Sequence, residues 1–513
     1  MNDSVRPGPE GDHPAAARAQ RSSAPRPPVR PWPALWAMVI SFFMILVDTT
    51  IVSVANPAIK AALDPGTDNL DNVVWVTSAY LLAYAVPLLV TGRLGDRFGP
   101  RSIYLIGLAV FTLASLGCGL SQSLGMLIAM RAVQGLGASL MTPQTMAVIT
   151  RIFPPNRRGA AMGLWGATSG VAMLVGPLAG GLLVDGFGWE WIFFVNLPVG
   201  AIGFVLALIF VPKLDTHPHR FNLLGVLLSA SAMFLIVFGL QEGEQHDWGL
   251  IWGPIPVWGL IAAGVALLGL FVWQQAVTRQ EPLLPLALFR SRGFSISNIA
   301  IAAVGFQAAG MALPFMFFLQ LARGLSPTEA ALLMLPMAVA AGVLSPPAGR
   351  LLDRVDPRFI LVPGLLLSAI ALVWFALLMT PETPIWMLLL PSALLGAGSA
   401  GMWGPLATTA TRTLPLHHAG AGSGVYNAMR TLGQALGSAA MAAMMQSRLT
   451  AHLGAGSAET AGSADALPEA AVAPFSAAMA ESVLLPAAAV LLALVAVLFL
   501  RGRADRGAST RIG

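Results

Sequence analysis

The decapeptide Gly92-Arg93-Leu94-Gly95-Asp96-Arg97-Phe98-Gly99-Pro100-Arg101 returns 257 residues later as Gly349-Arg350-Leu351-Leu352-Asp353-Arg354-Val355-Asp356-Pro357-Arg358, with seven of ten positions identical. Both copies lie between long apolar stretches. The offset stays nearly constant beyond the loop: Gly135-x-Gly137 pairs with Gly396-x-Gly398, and Gly159 and Gly163 pair with Gly420 and Gly424, each 261 residues on. A charged loop recurring at one place in two halves of an apolar chain implies a parallel duplication. That is a transporter plan, with the substrate site between the halves.

Composition names the solvent. The 513 residues are 56% hydrophobic and only 10% charged, with a mean hydropathy of +0.73. A soluble domain carries about 25% charged residues. A helical span takes about 20 apolar residues, and fourteen segments qualify. Six lie at 34–56, 73–92, 102–121, 124–150, 160–184 and 191–211. Two lie at 221–240 and 255–275, and six more at 294–319, 328–347, 359–379, 386–406, 423–445 and 482–500. The predicted fold is an all-α integral membrane protein of two six-helix bundles, 34–211 and 291–500. A linker, 212–290, adds the two extra central helices, and 1–33 and 501–513 are cytoplasmic tails. The first tail, rich in Pro, Ala and Arg, reads as disordered.

Loop charges orient the spans. Arg93, Arg97, Arg101, Arg151, Arg157, Arg158, Arg350 and Arg354 fall on one side; Asp64, Asp185, Glu190, Glu242 and Glu469 fall on the other. Basic loops stay inside, so both termini are expected in the cytoplasm and the span number is even. The pI near 10 reflects these loops and tails rather than a nucleic-acid partner. Cys118 is the single cysteine, which excludes a disulfide within the chain. Neither lysine, Lys60 or Lys213, follows a glycine, so there is no phosphate-binding loop; zinc-protease and nucleophile-elbow motifs are also missing. We therefore expect no enzyme activity, no metal and no cofactor, with an ion gradient as the energy source.

Several stretches between Pro33 and Leu500 resemble the major facilitator superfamily, in particular its fourteen-span drug:proton antiporters of the EmrB/QacA type. Gly92–Arg101 is similar to that superfamily's loop between the second and third spans. Leu127–Pro143, with Arg131, Gln134, Gly135 and Gly137, resembles the fourth-span motif linked to proton coupling. Gly166–Gly181, with Gly176-Pro177, resembles the fifth-span antiporter motif. Leu46–Val52 and Trp191–Gly200 resemble segments of the fourteen-span group. The resemblance implies alternating access driven by a proton gradient, with a lipophilic small molecule, protons and membrane lipids as partners of a monomer in the bacterial inner membrane. It also implies that Gly92, Asp96, Arg97 and Arg101 work at the inner gate, with Asp96 meeting the start of the thirteenth span near Gly420–Gly424. Arg97 and Arg101 either face headgroups and acidic loops or only set topology. Gly176 and Pro177 serve as a hinge or as ordinary close packing.

Asp48 is the only carboxylate well inside a predicted span, where a charge costs roughly 2.5–3.5 kcal/mol even on lenient insertion scales. It either carries protons or bonds to the neighbouring hydroxyls of Thr49 and Thr50. Arg131 lies at matching depth, about 10–12 Å below the outer surface at 1.5 Å per residue. Their pairing is either a switch, because moving the cation changes the acid's proton affinity, or purely structural. Gln134 follows on the same helix face. Candidates for a substrate wall are Tyr80, Trp165, Gln307, Trp403 and Asn427, together with Gln134. Arg430 and Glu481 are read as lying near span ends, where long side chains snorkel. A lone mid-span acid favours neutral or singly cationic substrates over dications.

Overall fold

The computed structural model describes residues 30–64, 71–216, 222–246, 248–278, 281–412, 414–454 and 467–500. The tail 501–513 and nearly all of the tail 1–33 lie outside these residues; Pro31–Pro33 already belong to the first helix.

Apolar residues on every face of most segments, with few charges, leave helices as the only way to satisfy the backbone in lipid. The first half runs α1 (Pro31–Leu63), α2 (Asp71–Ala85), α3 (Leu88–Phe98), α4 (Pro100–Gly119), α5 (Leu124–Ile152), α6 (Arg158–Phe187), α7 (Trp191–Phe194) and α8 (Asn196–Phe210). Next come α9 (Leu223–Gln245), a two-stranded ribbon of β1 (Leu250–Trp252) and β2 (Ile255–Pro256), and α10 (Val257–Val277). The second half runs α11 (Arg292–Phe317), α12 (Pro327–Leu332), α13 (Leu335–Leu352), α14 (Arg358–Leu378), α15 (Leu389–Ala400), α16 (Trp403–Thr411), α17 (Ala419–Leu453) and α18 (Glu469–Leu498). Among the described residues eleven helical segments are long and apolar enough to cross a membrane, or thirteen when each of two bent pairs counts once. Leu182 and Phe359, three-quarters exposed, belong to the apolar outer surface such spans present to lipid.

Helices extend further than hydropathy alone suggests. α18 opens at Glu469, thirteen residues before the expected span, through an Ala-rich stretch that favours helix. With α17 reaching Leu453, helices run into the expected outer segment 446–481 from both ends. Glu242, expected in an outer loop, sits inside α9 and is buried, with its carboxylate 3.6 Å from His246 Nδ1. The span expected at 73–92 is broken: α2 and α3 meet at 46° around Pro87, which has no N–H to continue the ladder. α6 bends by 40° between Ala172 and Val175, one turn before Pro177, where the proline leaves a carbonyl unpaired.

α1–α8 pack chiefly on one another, with α4 and α2 against α5 and α1 against α6 and α8; α11–α18 do likewise, with α17 and α18 against α11 and α15 and α18 against α14. The halves meet through α3 on α17 and α6 on α13 and α16. α9 and α10 pack together, and α9 also touches α2 and α17, so the inserted pair leans on both halves.

Glycines set the closest crossings. Between α11 and α17, a Cβ at Gly433 would fall 2.8 Å from Ala302 Cα, and one at Gly437 would fall 2.7 Å from Phe306 Cα. At the exposed end of α6, Gly181 faces nothing within 4 Å. Gly433→Leu should therefore destabilise the helix pair by about 1–3 kcal/mol. Gly181→Ala should be near neutral. Thermal unfolding of both variants in detergent separates them.

Candidate functional site

Asp48 is fully enclosed midway along α1. Arg131 Nη1, from α5, donates to its Oδ2 at 2.5 Å. Gln134 Nε2 and Asn196 Nδ2 donate to its Oδ1 at 2.9 and 3.0 Å. Ser115 Oγ of α4 accepts from Gln134 at 3.3 Å and from Asn196 at 3.0 Å, and donates to the Phe193 carbonyl. The hydroxyls of Thr49 and Thr50 donate back to carbonyls of α1. That is the usual recourse of a hydroxyl inside a helix.

Arg131 is also held by α2, although its Nη2 is buried without a hydrogen-bond partner. Its Nε donates to the Val76 carbonyl of α2 at 3.1 Å, Nη1 also reaches Gln134 Oε1, and its guanidinium carbon lies 4.1 Å from the Tyr80 ring centre. Such a face-on cation is attracted by the ring. Gly135 makes this possible: a Cβ there would run into the Tyr80 carbonyl and push α2 away from α5. Gly176 of α6 likewise abuts Thr50 and Val47, so the Gly-Pro segment packs directly behind Asp48.

At one end of the molecule, Asp96 of α3 caps the other half. Its two oxygens accept from Gly420 N and Ala421 N, both at 2.9 Å. A carboxylate at a helix N-terminus satisfies free N–H groups and meets the positive end of the dipole. Gly92 lets the backbones touch, since a Cβ there would strike the Gly420 carbonyl. Gly95 clears room for Gln144, whose Nε2 donates to the Thr91 carbonyl at 2.7 Å. Arg101 donates to the Leu208 carbonyl at 2.6 Å, and Arg97 lies over the Phe98 ring at 4.9 Å.

The second decapeptide does the same work in mirror arrangement. Asp353 accepts from Gly159 N at 2.8 Å and Ala160 N at 3.2 Å, at the start of α6, while Gly349 meets Gly159 and Gly163. The loops differ in burial, since Arg93 and Asp96 are buried and Arg350 is exposed, and in how they turn. Gly99 adopts φ 89°, open to glycine, whereas Asp356 at the matching position accepts from Arg358 N at 3.1 Å.

The remaining candidates are dispersed. Trp165 is enclosed and stacks on Phe42 at 4.9 Å. Gln307 lies on α11; Trp403 opens α16, where its carbonyl accepts from Tyr426. Asn427, on α17, donates to the Ser423 carbonyl, while its Oδ1 is buried without a partner. Gln134 and Tyr80 belong to the Asp48–Arg131 network rather than to a separate wall.

Two of the long polar residues sit elsewhere than expected. Glu481 lies within α18 and pairs with Arg448 at 3.2 Å and His452 at 3.1 Å on α17. Arg430 is 4% exposed, eleven residues into α17, and its Nη2 donates to Tyr84 Oη of α2 at 2.8 Å. Tyr84 stacks in parallel on Tyr80, with centres 6.3 Å apart. A continuous row therefore runs from Asp48 through Arg131, Tyr80 and Tyr84 to Arg430 in the opposite half. The repeat already pointed to Asp353, and Asn196 lay in the Trp191–Gly200 segment. Tyr84 and Arg430 carried no comparable pattern.

A duplicated, all-helical membrane fold whose halves meet through two matched latches is that of a transporter. The family model of the Major Facilitator Superfamily matches residues 38–438, and the chain belongs to that superfamily. An uncharacterised MFS-type transporter of Mycobacterium tuberculosis is 55% identical over 92% of this chain and 81% of its own. The tetracenomycin C resistance and export protein of Streptomyces glaucescens is 35% identical over 82% and 77%. The multidrug resistance protein Stp of M. tuberculosis is 34% identical over 82% and 76%. Two solved structures share the fold. The human organic anion transporter MFSD10 has a TM-score of 0.62 at 14% identity, covering 91% of this chain and 100% of its own. The proton:xylose symporter XylE has a TM-score of 0.61 at 15% identity, covering 92% and 96%. The protein is thus a multi-pass membrane transporter, not an enzyme.

Matched latches predict matched phenotypes. Asp96→Asn and Asp353→Asn each lose the charge at the helix dipole and one of two accepting oxygens, which should weaken closure at this end by about 1 kcal/mol, and the double variant by about the sum. The check is labelling of Ser423→Cys, buried beside the first latch, with a membrane-impermeant maleimide. Each single variant should raise the labelling rate by about fivefold.

Proposed function

We propose that the chain is a proton-coupled antiporter that exports lipophilic drugs or related small molecules across the bacterial inner membrane by alternating access. The observation that carries this reading is the enclosed acid. Asp48 is ringed by three donors from two other helices, beside a cation and far from the latch end. Intramembrane ionisable groups mark proton and substrate pathways. As a carboxylate, Asp48 accepts from Arg131, Gln134 and Asn196. Once protonated, it releases Arg131, which keeps the Val76 carbonyl and the Tyr80 face and draws towards α2. The row Tyr80–Tyr84 carries that shift to the seam between the halves. The two aspartate latches then open or close the end that the arginine-rich loops assign to the cytoplasm.

In this reading fourteen spans cross the membrane, both termini are cytoplasmic, the protein works as a monomer, and the proton gradient replaces any cofactor. α17, the thirteenth span in chain order, brings the number to fourteen, with glycine and hydroxyl residues along its seam face in place of apolar bulk. A dedicated exporter of one metabolite is the second reading, favoured by similarity to the tetracenomycin C exporter and to a probable actinorhodin transporter.

The test is dye or drug flux in inverted vesicles with and without a proton uncoupler. Asp48→Asn should insert normally and lose uncoupler-sensitive efflux. Full activity of that variant at matched expression removes Asp48 from the coupling step. A wild-type response to one compound among a broad panel selects the dedicated exporter.

A further inference from the structure

We propose that Arg430 is the recognition site for an acidic group on the substrate, a carboxylate or phenolate borne on an aromatic frame. The inference rests on the alternating-access reading, because it requires the seam between the halves to open. Arginine keeps its charge at any physiological pH, and a buried charge is costly unless it is answered. Arg430 is 4% exposed, and among the described residues no carboxylate lies within ion-pair distance of it. Its Nη2 is satisfied by a neutral phenol, Tyr84 Oη, and its Nε has no partner. One turn earlier on α17, the buried Oδ1 of Asn427 is also without a partner. A guanidinium edge and an amide acceptor, three residues apart, share a helix face. Together they match an ionised oxygen with a neighbouring hydroxyl.

Tyr84 belongs to the opposite half, so separation of the halves at this depth breaks the Tyr84–Arg430 bond. The cation is then left without its phenol and takes the substrate's anion, while the faces of Tyr84 and Tyr80 offer a stacking surface to an aromatic frame. On reclosure Tyr84 returns to Arg430 and displaces the anion. Tyr84 is thus both a placeholder in the closed seam and the group that drives release. Because Tyr84 stacks on Tyr80, which lies under Arg131, the proton site and the anion site share one aromatic row.

The test compares two dyes with the same xanthene core and opposite charge, carboxyfluorescein and rhodamine 6G. Binding to the full chain in nanodiscs is read by fluorescence anisotropy, in the Asp96→Asn/Asp353→Asn background. Carboxyfluorescein should bind more tightly than rhodamine 6G. Arg430→Gln should weaken carboxyfluorescein by about tenfold or more without weakening rhodamine 6G, and Arg430→Lys should recover part of the loss. Tyr84→Phe with both latches intact should strengthen carboxyfluorescein binding. Equal affinity of Arg430→Gln and the parent for carboxyfluorescein overturns the proposal, as does failure of the parent to bind that dye at all. Retained rhodamine binding or a monodisperse elution profile shows that a weakened variant is still folded. Binding here needs neither a gradient nor turnover. Loss of uncoupler-sensitive flux in wild-type vesicles would therefore count against proton-driven export and leave the Arg430 result standing.

Discussion

A carboxylate enclosed among helices must be answered by donors on the helices around it, and Asp48 is answered by three donors from two of them. Arg131 and Gln134 come from α5 and Asn196 from α8, while Ser115 of α4 and the Val76 carbonyl of α2 hold those donors in place. Five helices of the first half thus converge on one acid. Removing any donor leaves a buried polar group unsatisfied, a larger cost than the net worth of the bond itself. The glycines of the neighbourhood follow from this demand. Gly135 lets α2 close on α5 so that Tyr80 can cover the guanidinium, and Gly176 lets α6 close on α1 behind the acid.

The two halves are alike where they meet and unlike where the chemistry lies. Each decapeptide supplies an aspartate to the first turn of a helix in the opposite half, and each uses glycines to bring backbones into contact. Two latches of similar geometry give the seam a pseudo-symmetric closure at one end. Away from that end, Asp48 and Arg131 have no matching ion pair among the described residues of the second half. What the second half contributes there is a cation with no acid beside it.

Repeat, hydropathy and charge were enough to read the helical segments and the duplicated loop, because all three leave periodic marks on a chain. The matching depth of Asp48 and Arg131 followed from counting residues along two helices. Helix ends were less legible. Ala-rich stretches such as 469–481 continue a helix without being especially apolar, and the Val86–Pro87 break lies inside an otherwise apolar window. The second latch was visible as a repeat, yet its partner at Gly159 could be found only from the packing of α13 on α6. The Tyr84–Arg430 contact joins residues 346 apart in the chain, and no local pattern ties them. Position in the duplicated fold, not residue type, distinguishes Arg430 from a side chain reaching for a headgroup.

The lack of a carboxylate beside Arg430 among the described residues bears on how the cycle is driven. Each elementary charge that crosses the membrane is worth about 2.3 kcal/mol per 100 mV. A site that exchanges a monocation for one proton moves no net charge, and only the acidity difference does work. A site built around an unanswered guanidinium exchanges an anion for that proton. Two charges then move along the field in one turnover, about 4.6 kcal/mol per 100 mV. On the proposed proton-coupled reading, with Arg430 as the anion site, export would be driven by voltage as well and would continue when the two sides of the membrane have equal pH.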